Sequence, residues 1–255
     1  MTYLYVYREL IKNLVSKDLK LKYRDSVLGF IWSLANPFLL IFVYSFVFSH
    51  MLRVDIRNFS YFLLVGILPW NFFAQSLAMS TGSILDNGGL IRKVWLPIEV
   101  FPIATVFFNL TQYLLALVVL LPVASFFFQV PLGWSVLAFF VVLPLHVLFT
   151  LGLSFFIAAI TVFYRDVKHF TEIFLMLLFW LTPVVYDVRV LPETLRRTVY
   201  LNPLSFFIAS YQDIFYRQLF PEPLHLLMLF VLSVLSLALG YIVFSSCKVR
   251  FAEEV

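Results

Sequence analysis

VFPIATVFFNLTQYLLALVVLLPVASFFFQVPLGWSVLAFFVVLPLHVLFTLGLSFFIAAITVFY, residues 100–164, contains no Asp, Glu, Lys or Arg. A charge at a bilayer centre costs about 2.5–3.5 kcal/mol on insertion scales, while each Leu, Ile, Phe or Val gains about 0.3–0.6 kcal/mol. A stretch without charge over this length reads as chain buried in lipid. One helix of that length, rising 1.5 Å per residue, would far overrun a hydrocarbon core of about 30 Å. The stretch must therefore be two helices, and Gln129–Gly133, with Pro131, is the natural turn between them.

The same exclusion of charge holds from Ser26 to Leu52, from Asn58 to Leu85 and from Pro223 to Cys247. The chain is 62% apolar and only 13% charged, and its mean hydropathy is +0.97. A soluble domain sits near 45–50% apolar, so a water-facing globule is excluded. The pattern predicts an all-α polytopic membrane protein, a single domain over 1–255. Six transmembrane helices are expected, at roughly 28–50, 59–81, 101–128, 134–162, 169–186 and 224–246. The first apolar run follows a basic stretch with no small-residue cleavage signal, which predicts a retained span.

Orientation follows from the Lys and Arg residues. Arg8, Lys12, Lys17, Lys20, Lys22 and Arg24 precede span 1, Arg92 and Lys93 follow span 2, Arg165 and Lys168 follow span 4, and Lys248 and Arg250 follow span 6. The other side holds fewer: Arg53, Arg57, Arg189, Arg196, Arg197 and Arg217. Both termini are expected in the cytoplasm. Span 5 is short, and Pro183 is expected to kink it. The apolar segment 198–212 is shorter than a crossing and suits a re-entrant or interfacial helix. Asn202–Pro203 reads as an N-cap followed by proline at the first helical position, and Asp213 and Arg217 as an i, i+4 pair. A full crossing there would make seven spans and put Lys248 and Arg250 outside.

Residues 3–24 have helical periodicity, with Tyr3, Leu4, Tyr7, Leu10, Ile11, Leu14, Val15 and Leu21 on one side and Arg8, Lys12, Lys17, Lys20 and Arg24 across from them. Such a helix, within 1–26, is expected in the headgroup plane with its cations toward anionic lipid. It is either a plain anchor or a cuff that positions a partner or a substrate.

Ion-coupled carriers usually place an ionisable group at mid-membrane. None is found in these spans, and His146 in span 4 reads as an interhelical hydrogen-bonding residue rather than a proton relay. Proton or sodium coupling has no visible machinery, so energy must enter from another polypeptide. The sequence has no G-x-x-x-x-G-K-[ST] phosphate loop. No His/Cys metal spacing and no paired carboxylates converge in the spans. The lone Cys247 cannot close an internal disulfide. The loop GSILDNGGLIRKVWLPIEVFP, 82–102, mixes apolar Leu90, Ile91, Val94 and Trp95 with Asp86, Arg92, Lys93 and Glu99. One turn is expected over Ser83–Asn87, a break at Gly88–Gly89, and two further turns over Leu90–Leu96. Such a surface helix either docks in a partner's groove or lies on headgroups.

Six stretches occur in an order that carries a resemblance. They are KYRDSVLGFIWSLANPFL at 22–39, YFLLVGILPWNFFAQSL at 61–77, LIRKVWLPIEVFP at 90–102, FYRDVKHF at 163–170, TPVVY at 182–186 and LNPLSFFIASYQDIFYRQL at 201–219. They span almost the whole chain, which resembles the permease subunits of type-2 ABC exporters of polyprenyl-linked polysaccharide, most nearly the O-antigen permeases.

The resemblance implies a homodimer working with two separate ABC ATPase subunits that hold the ATP and Mg, with no cofactor in this chain and no enzymatic activity of its own. It makes 84–97 the cytoplasmic coupling helix, with Ile84, Asp86, Leu90, Arg92, Lys93 and Trp95 as the residues coupling to the ATPase. It makes 198–220 a re-entrant helical pair near the outer face, carrying Asn202, Pro203, Tyr211, Asp213 and Arg217, and it makes the N-terminal helix an interface helix. It places the chain in the bacterial cytoplasmic (inner) membrane. For such a substrate, Arg24–Asp25 and Arg165–Asp166 are candidates to meet the lipid pyrophosphate, and mid-span Tyr44 and Tyr113 are candidate channel aromatics. Membrane lipids and the polysaccharide are the expected ligands, with no nucleic acid. A type-2 exporter of drugs or lipids, or a membrane glycan-processing protein that pumps nothing, remains open at this stage.

Overall fold

The computed structural model describes residues 7–23, 35, 38–39, 42–44, 46–47, 56–93, 96–131 and 133–254. Every regular element among them is helical. In chain order they include α1 (Arg8–Tyr23), α2 (Phe59–Ser80), α3 (Val100–Phe128), α4 (Phe139–Phe163), α5 (Val167–Leu181), α6 (Glu193–Val199), α7 (Pro203–Tyr211) and α8 (Pro223–Cys247). Among the described residues, four segments are long and apolar enough to cross a membrane: Phe59–Ser80, Val100–Phe128, Trp134–Phe163 and Pro223–Arg250. They coincide with the expected spans 2, 3, 4 and 6. The first expected span, 28–50, lies largely outside the described residues.

The charge-free stretch divides as its length demands. α3 ends at Phe128, Gln129 caps it in the left-handed region at φ 53°, and a 3-10 turn over Trp134–Ala138 opens α4. Asn58, also left-handed at φ 50°, precedes α2, and its Nδ2 donates to the Phe128 carbonyl at 3.3 Å. That bond sets the start of α2 beside the end of α3, so the two run antiparallel.

α2 is the axis of the bundle. Tyr61, Phe62, Leu63, Ile67, Phe73 and Leu77 are all buried along it. A helix apolar on every side belongs in a core rather than at a surface. α4 and α8 cross at close range, because Gly152 and Gly240 face each other there and a Cβ on either would overlap the other helix's backbone. Small residues at such a crossing let backbones approach in lipid. Ser233 Oγ donates to the Leu145 carbonyl at 2.7 Å and Ser236 Oγ to the Phe149 carbonyl at 2.8 Å.

The fifth segment differs from expectation. α5 is 15 residues long, too short to cross unaided, and it ends before Pro183 instead of bending through it. Thr182, the residue before the proline, is extended at ψ 139°. Clash with the proline ring disfavours helix at that position. The chain then turns inward, burying Val184 and Val185. Gly66 permits this approach, since a Cβ there would sit 3.1 Å from the Val184 carbonyl oxygen.

α1 also finds a partner within the chain. Its Leu14 packs with Val100, Phe101 and Ala104 of α3, and Tyr7, Leu10, Ile11 and Val15 border that cluster. Further along, Lys22 Nζ donates to Gln112 Oε1 and lies 5.7 Å from the Phe108 ring centroid. α1 therefore follows α3 for roughly three turns, and its apolar face is met by protein, not by lipid alone.

Candidate functional site

The loop after α2 and the C-terminal segment share one end of the bundle. A 3-10 turn covers Leu85–Asn87 and an α-turn covers Gly88–Ile91. The expected break at the glycines is absent: Gly88 is right-handed helical at φ −54°, ψ −39°, and the helical turn begins there. Asp86, Leu90, Arg92 and Lys93 are exposed together. Ile84 is not, being 0% exposed in a cluster with Phe155, Ala158, Val162, Phe244 and Phe251. The six residues read as one contact surface are thus two groups, four facing out and Ile84 facing in; Trp95 lies outside the described residues. Periodicity could not separate them, because the cover over Ile84 comes from α4, α8 and Phe251, far along the chain. Glu99 and Lys248 close the same end with an ion pair at 3.1 Å.

At the opposite end lies a network of charge that the sequence disclosed only in part. The expected Asp213–Arg217 pair forms, with Arg217 Nη1 donating to Asp213 Oδ1 at 2.7 Å. Two further partners arrive from the turn after α5. Arg217 Nη2 donates to Asp187 Oδ1 at 2.5 Å and Arg189 Nη2 to Asp213 Oδ1 at 2.7 Å. The side chains of Asp213 and Arg217 are only 6% and 10% exposed. Burial works against the Arg217 charge, but the hydrogen bonds and charges of Asp187 and Asp213 outweigh it and hold its pKa above the usual value. Removing one partner of a buried pair typically costs about 3–5 kcal/mol, because the other charge is left uncompensated.

The network is borne by one continuous segment rather than a helical pair, since α7 passes directly into a π-turn at Gln212, and its N-terminus is capped as the sequence suggested. Asn202 Oδ1 accepts from the Leu204 N–H at 3.0 Å, with Pro203 at the first helical position. Asn202 also reaches back, Nδ2 donating to Thr182 Oγ1 at 2.8 Å, and Gln212 Nε2 donates to the Pro183 carbonyl at 2.6 Å. α7 runs for nine residues and a π-turn, Gln212–Arg217, for six more, again too short to cross a bilayer. Its final carbonyls have no onward helix, and side chains satisfy them. Tyr61 donates to the Phe215 carbonyl at 3.1 Å and Ser135 to the Ile214 carbonyl at 2.7 Å. Each such neutral bond is worth about 0.5–1.5 kcal/mol net, less than the charged ties on the α5 side.

Between the two ends, His146 is buried, with Nδ1 3.3 Å from the Tyr211 hydroxyl and its ring stacked 4.8 Å from Phe207. It bridges α4 and α7, in the interhelical role expected of it. Tyr113 is buried beside it, its ring 5.8 Å from Phe72 and 6.3 Å from Tyr211. Tyr44 lies elsewhere, 6.1 Å from Phe179, on a groove of about 310 Å³ lined also by Ile67, Trp70, Asn71 and Trp180. The two tyrosines therefore do not share one site. Arg165 is exposed in the turn between α4 and α5, and Arg24 lies outside the described residues. No group of three or more His, Cys, Asp or Glu fit to hold a metal occurs among the described residues.

Helices throughout the described residues, four of them long and apolar enough to cross a bilayer, define a multi-span membrane protein. The chain belongs to the ABC-2 type transporter family, which it matches over residues 9–216. It is 37% identical over 99% of its length to the O-antigen export system permease protein RfbA of Myxococcus xanthus, covering 97% of that protein. Two further proteins of that name, both from Klebsiella pneumoniae, are 31% and 30% identical over 96% of this chain and 94% of their own length.

Proposed function

We propose that this chain is the permease subunit of an ATP-driven exporter that moves lipid-linked O-antigen across the bacterial cytoplasmic (inner) membrane. The observation that carries the reading is similarity over almost the full length to permeases named for O-antigen export. The chain is a transporter component and not an enzyme. Two copies about a two-fold axis enclose a pathway, each with six spans, cytoplasmic termini and the interface helix at 1–26. Two ABC ATPase subunits bind ATP and Mg and do all the hydrolysis.

Several features support how this chain would respond. The exposed Asp86, Leu90, Arg92 and Lys93 offer mixed charge and apolar surface to the ATPase, within a coupling segment at 84–97. Ile84 sits beneath them and hands displacement to α4 and α8 through Phe155, Phe244 and Phe251. The segment 198–220 is the re-entrant pair at the outer face. The groove holding Tyr44, Trp70, Asn71 and Trp180 offers aromatic faces to sugar C–H groups without demanding one hydroxyl pattern. Arg165, at the cytoplasmic end of α4, together with Arg24, is placed in this reading to meet the lipid pyrophosphate.

The test is co-purification of an ABC ATPase with this chain, followed by surface display of O-polysaccharide in a host lacking its own permease. Display that requires both subunits and ATP supports the proposal. An ATPase partner with no polysaccharide display turns the reading toward a drug or lipid exporter, and no ATPase partner at all overturns it.

A further inference from the structure

α6 is fixed at both ends and open between them. Before it, Arg189 Nη2 donates to Asp213 Oδ1 at 2.7 Å. After it, Ser205 Oγ donates to the Val199 carbonyl at 2.8 Å, and the Tyr200 ring lies 4.8 Å from Phe206 and 5.4 Å from His225. Between these ties no α6 residue is buried. Glu193 and Arg197 form an ion pair along one side of the helix. At about 100° per residue, Leu195 and Val199 project from the other side. Leu195 is 53% exposed, and Val190, at the entry to the helix, is 73% exposed. Arg196 is exposed as well, and the same spacing puts it at the border of the apolar side.

Two aliphatic side chains and their neighbours are far too small a face for the roughly 1,200 Å² that a specific protein interface buries. Trp180 and Leu181 at the end of α5 and Leu224 at the start of α8 are more than half exposed, so lipid-facing side chains reach this end of the bundle. An amphipathic helix at that level lies in the headgroup plane with its apolar side toward the acyl chains. An arginine at the border of that side can reach phosphate, which its guanidinium matches in charge and in geometry.

We infer that α6 is an interfacial anchor. Leu195 and Val199 enter the acyl boundary of the leaflet at this end, and Arg196 binds a phospholipid headgroup phosphate. The Glu193–Arg197 pair faces water. The anchor sets the depth at which the chain enters α7 through Asn202 and Pro203. This contact holds whatever the protein exports.

The full-length protein in vesicles of phosphatidylcholine and phosphatidylglycerol tests it. In a Cys247→Ser background, Leu195→Cys and Thr194→Cys each carry an environment-sensitive fluorophore. The quenchers are iodide, present on both sides of the membrane, and phosphatidylcholine bearing a nitroxide near its headgroup. The Leu195→Cys label is expected to be quenched about threefold more by the nitroxide lipid than the Thr194→Cys label, with the order reversed for iodide. Adding Arg196→Glu is expected to lower lipid quenching at Leu195→Cys about twofold, while Arg196→Lys preserves it. Equal iodide quenching at the two positions puts this face in water, and quenching by neither agent puts it under a second copy; either result overturns the anchor. Lipid quenching that ignores the charge at position 196 overturns the phosphate contact.

Discussion

Gly152 on α4 and Gly240 on α8 meet with no room for a side chain on either: a Cβ on Gly240 would overlap the Gly152 carbonyl. The obstacle is backbone, which cannot rotate aside. Overpacking of this kind costs about 1–3 kcal/mol, occasionally more. Gly240→Ala is expected to lower the thermal midpoint of the purified protein, and Gly152→Ala likewise. Gly89→Ala, with open space around it, is the control and should leave the midpoint within error. Thermal scanning in detergent reads all three.

Ile84 and Leu90 sit a few residues apart in one loop and should respond oppositely. Ile84 is fully buried while Leu90 is exposed. Ile84→Ala is expected to cost about 2–4 kcal/mol of stability, as for other buried aliphatic truncations. Leu90→Ala should leave stability unchanged and reduce ATPase stimulation. Equal stability of the two variants would contradict the division of this loop into an inward and an outward group.

Arg92 and Lys93 are exposed, so reversing their charge should not disturb folding. Arg92→Glu with Lys93→Glu is expected to insert normally and to lose export. The check is membrane abundance beside polysaccharide display; normal display in the double variant removes this loop from the coupling path.

His146 separates proton coupling from ATP coupling. Its ring is stacked on Phe207 and buried, so His146→Phe keeps the shape and deletes the titratable group. Losing the bond to Tyr211 should cost about 1 kcal/mol, with ATP-driven export within about twofold of wild type. Export that collapses while the protein remains folded would revive a proton role for this position.

Orientation can be read with one cysteine at a time. Leu201 is 81% exposed and Leu90 36% exposed, whereas Ser205 is fully buried and would report poorly. In a Cys247→Ser background, a membrane-impermeant thiol reagent should label Leu201→Cys from outside intact cells and Leu90→Cys only after lysis. The reverse pattern contradicts cytoplasmic termini.

Charge exclusion made four of the expected spans legible, because a lipid interior penalises each ionised group independently of what packs beside it. Local chemistry made Asn202–Pro203 and the Asp213–Arg217 pair legible, since both depend on neighbours within one helical turn. The rest depended on distant partners. Arg189 entered only as one charge among several on its side, and Asp187 carried no signal of its own, until the fold brought them to Asp213 and Arg217. Ile84 looked like part of a docking face until Phe244 and Phe251 covered it. The end of α5 was open to local reading, because Thr182 precedes Pro183 and is biased against helix; the uncharged run continuing to Tyr186 obscured it.

ATP-dependent movement of glycan by this chain and its ATPase, in sealed proteoliposomes, tests the central claim most directly. The account predicts accumulation of a lipid-linked O-polysaccharide on the far side only when both subunits and ATP are present, with no response to a pH or sodium gradient. Uphill movement by this chain alone on such a gradient would contradict it.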